Sequence, residues 1–242
     1  MRETTLQFEH PLLRIGSITF LTGLAIFIIS SAFHAGREDP TNHLRVFAEY
    51  ANSPPWIAAH IGQFVGDILI FAGGFVALFR LLEQSECMTI SVLAWIGFTI
   101  AIIAASTLAI LQGVDGIALK RAVDSWVVAS AGEKMAAFRV AEGIRWTEIG
   151  TNSMYHILQG TAAIVFGVAI TLSPVVGRWI GAIGIFAGAV TIAAGVEVAY
   201  VGFASSNAYI GFQADSKIIY YIWIGILGAF MWRKAMSKTV TV

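Results

Sequence analysis

Residues 56–80 read Trp56-Ile-Ala-Ala-His60-Ile-Gly-Gln63-Phe-Val-Gly-Asp67-Ile-Leu-Ile-Phe-Ala-Gly-Gly-Phe-Val-Ala-Leu-Phe-Arg80. A tryptophan opens the run, an arginine closes it, and the residues between are almost all apolar. A bilayer core of about 30 Å takes roughly 20 apolar residues as a helix, because each residue rises about 1.5 Å and no backbone polar group can go unpaired in lipid. The stretch therefore predicts a helix that crosses a membrane. By the same test 13–33, 90–115, 146–172, 178–201 and 217–234 qualify as well. The expected fold class is all-α: a six-transmembrane-helix bundle, a single integral membrane domain over 1–242.

Composition agrees. Of 242 residues 57% are hydrophobic and 12% are charged, with a mean hydropathy of +0.76, whereas about a quarter of the residues of a soluble domain are charged. Fifteen Lys and Arg balance fifteen Asp and Glu, so there is no basic surface of the kind a phosphate backbone needs and no nucleic-acid partner is expected. The single cysteine, Cys87, can form neither an internal disulfide nor a thiolate cluster. The run from Ile15 to Phe33 is longer than the apolar core of a signal peptide and no clean small-x-small site follows it, so it reads as a retained first span.

With six spans both termini share one side, where Arg2, Arg14, Arg80, Arg178, Arg233, Lys234 and Lys238 lie close to helix ends. The positive-inside rule places that side in the cytoplasm. Trp56 and Trp146 fall at the outer boundary, and Trp95, Trp179 and Trp232 at the inner one, as amphipathic rings prefer. A Trp-Ile-Gly triplet at Trp95, Trp179 and Trp223 reads as the same anchoring. Gly62 and Gly66, Gly177 and Gly181, and Gly184 and Gly188 are spaced to let helices approach closely.

Two outer loops close on similar text. Arg45-Val46-Phe47-Ala48-Glu49 precedes Trp56 and His60-Ile61-Gly62-Gln63, and Arg139-Val140-Ala141-Glu142 precedes Trp146 and His156-Ile157-Leu158-Gln159. This order predicts a parallel internal repeat of helix-loop-helix hairpins, an arrangement in which transporters place the working site between repeats.

Ionisable side chains inside spans cost about 2.5 to 3.5 kcal/mol each on insertion scales, so they face the bundle interior and find partners. His60, Gln63 and Asp67 form one helical stripe, and Glu142, Arg145, Glu148, Asn152, His156 and Gln159 form another. Gln112 and Asp115 end the third span, and Glu197 and Tyr200 end the fifth. All lie in the outer half, while Ile68 to Phe79 and Ala162 to Ile170 carry no ionisable group. The expectation is a polar chamber open towards the outer face, above an apolar plug, with His60, Gln63, Asp67, Gln112, Asp115, Glu148, Asn152, His156, Gln159, Glu197 and Tyr200 as ligand-binding residues. Glu142 with Arg145 and Arg145 with Glu148 are spaced as i,i+3 ion pairs. His34, His43, Glu38 and Asp39 read as solvated, and His10 as interfacial.

Three functions fit this pattern. A chamber for a small polar or cationic ligand, bound or translocated, uses most of the residues, with His60 and His156 able to couple binding to protonation near neutral pH. A bis-histidine haem b held by His60 and His156 leaves the acids without a role. A metal-dependent hydrolase lacks ligand pairs within any one helix, since His60 and Asp67 are about 10 Å apart along the axis and Glu148 and His156 about 12 Å; a shared ion would have to combine His60, His156 and Asp115 or Glu197. A structural or accessory subunit is the bland alternative. Nucleophile elbows, phosphate loops and nucleotide fingerprints are missing, so no catalytic residue is assigned.

The stretches Ala48-Glu49-Tyr50, Trp56-Ile57-Ala58-Ala59-His60-Ile61-Gly62-Gln63-Phe64, Gln112-Gly113-Val114-Asp115-Gly116 and Lys120-Arg121-Ala122-Val123-Asp124 make the chain resemble an uncharacterised family of bacterial polytopic membrane proteins, over residues 12–203. The resemblance implies a bacterial inner-membrane location and carries no activity.

Overall fold

A computed structural model of the chain describes residues 2–34, 42–203 and 212–237, with side chains described from 11 and from 216 in the first and last of these stretches. The side chains of Arg2 and His10, and residues Glu38, Asp39 and Lys238, lie outside the described residues. Those described are helical with no strand. Seven helices follow one another: α1 (Arg2–Ser31), the short α2 (His43–Ala51), α3 (Trp56–Glu83), α4 (Met88–Val128), α5 (Lys134–Leu172), α6 (Arg178–Val201) and α7 (Phe212–Met236).

Five of these, counting α1 from Pro11, are long and apolar enough to cross a membrane. The sixth expected span forms as α7, but it is not among the five. Lys217 near its start and Arg233 and Lys234 in its last turn dilute its apolar stretch. The lipid-facing character of the others is plain on their surfaces, where Ile29, Ile102, Ile110 and Phe186 are exposed. Apolar side chains on the outside as well as the inside are what a bilayer solvent permits. Trp95, Trp146, Trp179 and Trp232 are likewise exposed, which suits rings that sit at an interface.

The six long helices close a ring in which α1 packs on α3 and α7, α6 on α7 and α5, and α4 on α5 and α3. Lipid tails are as apolar as leucine, so what holds such a ring is close packing and interhelical hydrogen bonds. Glycine supplies the first: a Cβ on Gly66 would lie 2.7 Å from the Gly23 carbonyl oxygen, and one on Gly188 would lie 2.4 Å from that of Gly160. Small hydroxyls supply the second, Ser17 donating to the Gly228 carbonyl at 2.7 Å and Ser153 to that of Gly195 at 2.8 Å. α6 ends at Gly202, whose φ of 74° favours a residue without a side chain.

Halfway along the ring its axis is filled by aromatic rings. Phe75 stacks on Phe166 at 5.2 Å, meets Phe20 edge-on at 5.5 Å and reaches Trp223 at 6.2 Å. This is the apolar plug expected from Ile68–Phe79 and Ala162–Ile170. Trp223 corrects the interface reading of its Trp-Ile-Gly triplet. It is fully buried, donates to the Ile180 carbonyl at 3.0 Å and fills the space that Gly184 leaves empty.

The two halves of the expected repeat sit in unlike surroundings. Ser53-Pro54-Pro55 separates α2 from α3, whereas the corresponding text of the second unit runs uninterrupted through α5. Trp56 is buried and Trp146 is 54% exposed. The parallel wording therefore does not bring parallel packing.

Beyond the ring, α2 lies against the projecting ends of α4 and α5, with Val46, Phe47, Tyr50, Trp56, Leu119, Val123 and Ala141 forming a separate apolar cluster. His43 belongs to this cap. It is buried and lies 3.3 Å from Glu142, contrary to the solvated role expected of it. Glu142 also accepts from Arg139, not from Arg145, while Arg145 keeps its other expected partner, Glu148.

Candidate functional site

Above the plug the ring opens into a cavity of about 980 Å³. Its wall is built from the last turns of α1, the first turns of α3 and α7, the far end of α4, the middle of α5 and one turn of α6. Eight of the residues expected to bind ligand line it: Gln63, Asp67, Gln112, Asp115, Glu148, Asn152, His156 and Gln159. Leu24, Ile28, Leu108, Leu111 and Ile222 give the same wall a broad apolar surface.

At the floor stands Asp67, only 2% exposed. Tyr221 donates to its Oδ1 at 2.8 Å and Tyr155 to its Oδ2 at a longer 3.4 Å, while Gln159 donates to the Tyr155 oxygen at 2.9 Å. Phe27 lies against Tyr221 at 4.2 Å between ring centres, with the planes tilted by 30°. Asp67 makes no ion pair among the described residues. The helix that carries it widens to a π-helix immediately afterwards, over Ile70–Phe75. Such bulges are uncommon and are frequently found where function is.

A second π-segment, Gly113–Leu119, carries Asp115. Asp115 Oδ2 is 2.8 Å from His60 Nε2. The other ring nitrogen, Nδ1, is 2.7 Å from the Trp56 carbonyl, which can only accept, so Nδ1 holds the proton. The Trp56 indole donates in turn to the Asp115 carbonyl at 3.2 Å. This approach depends on Gly116, where a Cβ would lie 2.4 Å from His60 Cβ. His60 thus stands behind Asp115 and is not itself part of the wall. Of the two histidines in the bis-histidine haem reading, His156 lies on the wall and His60 does not.

His34 is the member that sequence reasoning placed in solvent. Its ring centre lies 4.9 Å from those of both Trp56 and His60, with the planes tilted by 41° and 50°. One ligand atom each from His34, His60 and Asp115 lies within 4.8 Å of the other two.

Glu148 is held by Arg145, one guanidinium nitrogen reaching both carboxylate oxygens at 2.8 Å. Four buried atoms of the wall have no hydrogen-bond partner among the described residues: Gln112 Oε1, Asp115 Oδ1, Asn152 Oδ1 and His156 Nδ1. Three of the four are oxygens that can only accept.

Glu197 and Tyr200 do not reach this cavity. Thr191 faces it, and at about 100° per residue Glu197 and Tyr200 point roughly 240° and 180° away on α6. Tyr200 is 87% exposed and borders a separate cleft of about 410 Å³ between α5 and α6. Both were placed by depth alone, and depth does not fix the face of a helix.

The wall also holds residues that the sequence did not single out: Ser31, Tyr155, Ser216, Lys217, Tyr220 and Tyr221. The adjacent tyrosines at 220 and 221 were a usable signal. A hydroxyl within a span needs a partner, and an acid on a neighbouring helix is one.

Ring, plug and chamber together describe a helical bundle with five helices long and apolar enough to cross a membrane and an acid-containing cavity among them. No protein-family model, curated protein or solved structure matches the chain.

Proposed function

We propose that the chain is a six-span protein of a bacterial inner membrane that binds, within its bundle, a small organic cation carrying N–H donors and an apolar substituent. The observation that carries this reading is Asp67: a carboxylate buried at the floor of an accessible cavity, beside aromatic rings and, among the described residues, in no ion pair, with Lys217 on the same wall but not in salt-bridge contact with it. Burying an unpaired carboxylate is expensive, and two tyrosine hydroxyls offset only part of the cost. An ammonium group supplies the missing charge, and the faces of Phe27, Tyr155 and Tyr221 attract it further. The unsatisfied oxygens of Gln112, Asn152 and Asp115 ask for donors, and the leucines and isoleucines of the wall for an apolar tail. Translocation would require the π-segment Ile70–Phe75 to rearrange.

Phenethylammonium is a suitable probe, with phenethyl alcohol, phenylacetate and tetraethylammonium as comparators, titrated calorimetrically against protein in lipid nanodiscs. Phenethylammonium should bind tightest of the four. Asp67→Asn, which keeps shape and removes charge, should weaken it by about 10- to 100-fold, the range for a charged hydrogen bond of roughly 1.5–3 kcal/mol. Equal affinity for the neutral alcohol, or no change in Asp67→Asn, would overturn the proposal.

A further inference from the structure

The geometry points to a divalent transition-metal site at the rim of the chamber, formed by His34, His60 and Asp115. The cation reading rests on Asp67, and of the residues it invokes only Asp115 belongs to this site as well.

The protons come first. His60 Nδ1–H is committed to the Trp56 carbonyl, so the lone pair of the neutral ring is on Nε2, and Nε2 faces Asp115 Oδ2 at 2.8 Å. Two lone pairs at that distance repel unless a positive charge joins them. A proton can do so. So can a metal ion, and the surroundings favour one. Histidine ligands of metals usually donate their second ring N–H to a carbonyl or carboxylate, which fixes the tautomer and ring plane, and Trp56 does this for His60. The Asp115 carbonyl is itself held by the Trp56 indole, so one residue braces two of the three ligands.

Distances suit an ion after a small adjustment. With bonds of about 2.0–2.2 Å, a tetrahedral ion holds its ligand atoms roughly 3.3–3.6 Å apart. In the present set His60 Nε2 and Asp115 Oδ2 are 2.8 Å apart, and one ligand atom from each of the three residues lies within 4.8 Å of the others. His60 and Asp115 must open by about half an ångström, and His34 need close by no more than about 1.5 Å. His34 can do so because it follows the last turn of α1 and is only partly buried.

Asp115 Oδ1 is a second observation pointing the same way, being buried, on the cavity wall and without a hydrogen-bond partner among the described residues. Two imidazoles and one carboxylate suit Zn²⁺ and other first-row divalent ions over Ca²⁺ or Mg²⁺, which prefer all-oxygen sets. Three protein ligands leave a coordination position open towards the cavity, as in zinc sites that hold a water or substrate. No pair on one helix signals the site, because its members come from the end of α1, the start of α3 and the π-segment of α4.

The test uses full-length protein without a histidine tag, in nanodiscs, stripped with a chelator and titrated with Zn²⁺ and separately with Co²⁺. One equivalent of Zn²⁺ should bind, and Co²⁺ should give visible d–d bands of a four-coordinate nitrogen–oxygen site. His34→Ala alters only a partly exposed side chain, and it should weaken Zn²⁺ by a hundredfold or more while leaving the helical circular dichroism intact. Asp67→Asn should bind Zn²⁺ like the wild type, which separates failure of this site from failure of the cation chamber. Absence of stoichiometric binding in the wild type, or equal Zn²⁺ affinity in His34→Ala, would exclude the site.

Discussion

Replacing Arg145 by Met is expected to destabilise the protein by about 3–5 kcal/mol, the usual cost of leaving one member of a buried ion pair behind. Arg145 and Glu148 have side-chain exposures of 0% and 1% and are joined through both carboxylate oxygens. The guanidinium also lies over Phe203 at 4.6 Å and Tyr50 at 5.4 Å, so it ties the cap formed by α2 to the end of α6. Without it, Glu148 loses both of those hydrogen bonds and two aromatic contacts go as well. Changing Arg145 to Met and Glu148 to Leu together should recover most of the loss, since a buried pair exchanged for apolar residues of similar volume is often neutral. Arg80→Met is the control. Its i,i+3 pair with Glu83 is 48% and 24% exposed, and its removal should change stability by less than about 1 kcal/mol. Unfolding in mixed micelles with increasing denaturing detergent reads all four proteins. A single mutant no worse than Arg80→Met would mean that the pair is hydrated.

The ion pair also shows what a sequence can say. Arg145 and Glu148 were legible because both lie on one helix, where i,i+3 spacing fixes proximity whatever the rest of the chain does. The depth argument worked for the same reason. Acids and histidines confined to one half of their helices could meet only at one end of the bundle, and eight of the expected residues do so. Pairings between helices were harder. Glu142 has Arg139 one turn before it and Arg145 one turn after, and the sequence does not say that His43, on another helix, lies on the Arg139 side. His34 was invisible as a site residue because it follows a helix end, and only the fold reveals which neighbour it will lie against.

The repeat and α7 mark the other limit. Matching tetrapeptides do not specify equal environments when one copy opens its helix after two prolines and the other sits ten residues past its tryptophan. The sixth span illustrates a conflict of a different kind. Its tyrosines and lysine make it less apolar than the rest, and those same residues line the chamber. A helix that serves the cavity gives up some of the hydropathy by which it would be recognised.

Gly188→Ala should be almost as damaging as Gly188→Leu, at about 3 kcal/mol or at the upper end of what overpacking normally costs. In most glycine substitutions the penalty grows with the side chain, but here the first carbon already collides. A Cβ at 188 would lie 2.4 Å from the Gly160 carbonyl oxygen and 2.9 Å from the Ile164 backbone nitrogen. Backbone atoms inside two continuous helices cannot step aside, so α5 and α6 must separate along their whole contact. Gly160 is placed reciprocally, since a Cβ there would lie 2.5 Å from the Gly188 carbonyl oxygen, and no second substitution can restore the gap. The cavity then follows the packing. Gln159 adjoins Gly160 and holds Tyr155, which holds Asp67, while Thr191 lies one turn beyond Gly188 on the same wall. Binding of phenethylammonium should therefore fall with stability in Gly188→Ala. Gly150→Ala, on the partner helix α5 but with nothing within 4 Å of its Cβ, should leave both unchanged or raise stability by a few tenths of a kcal/mol through helix propensity. Equal behaviour of the two alanine variants would show that α5 and α6 do not touch at this glycine pair.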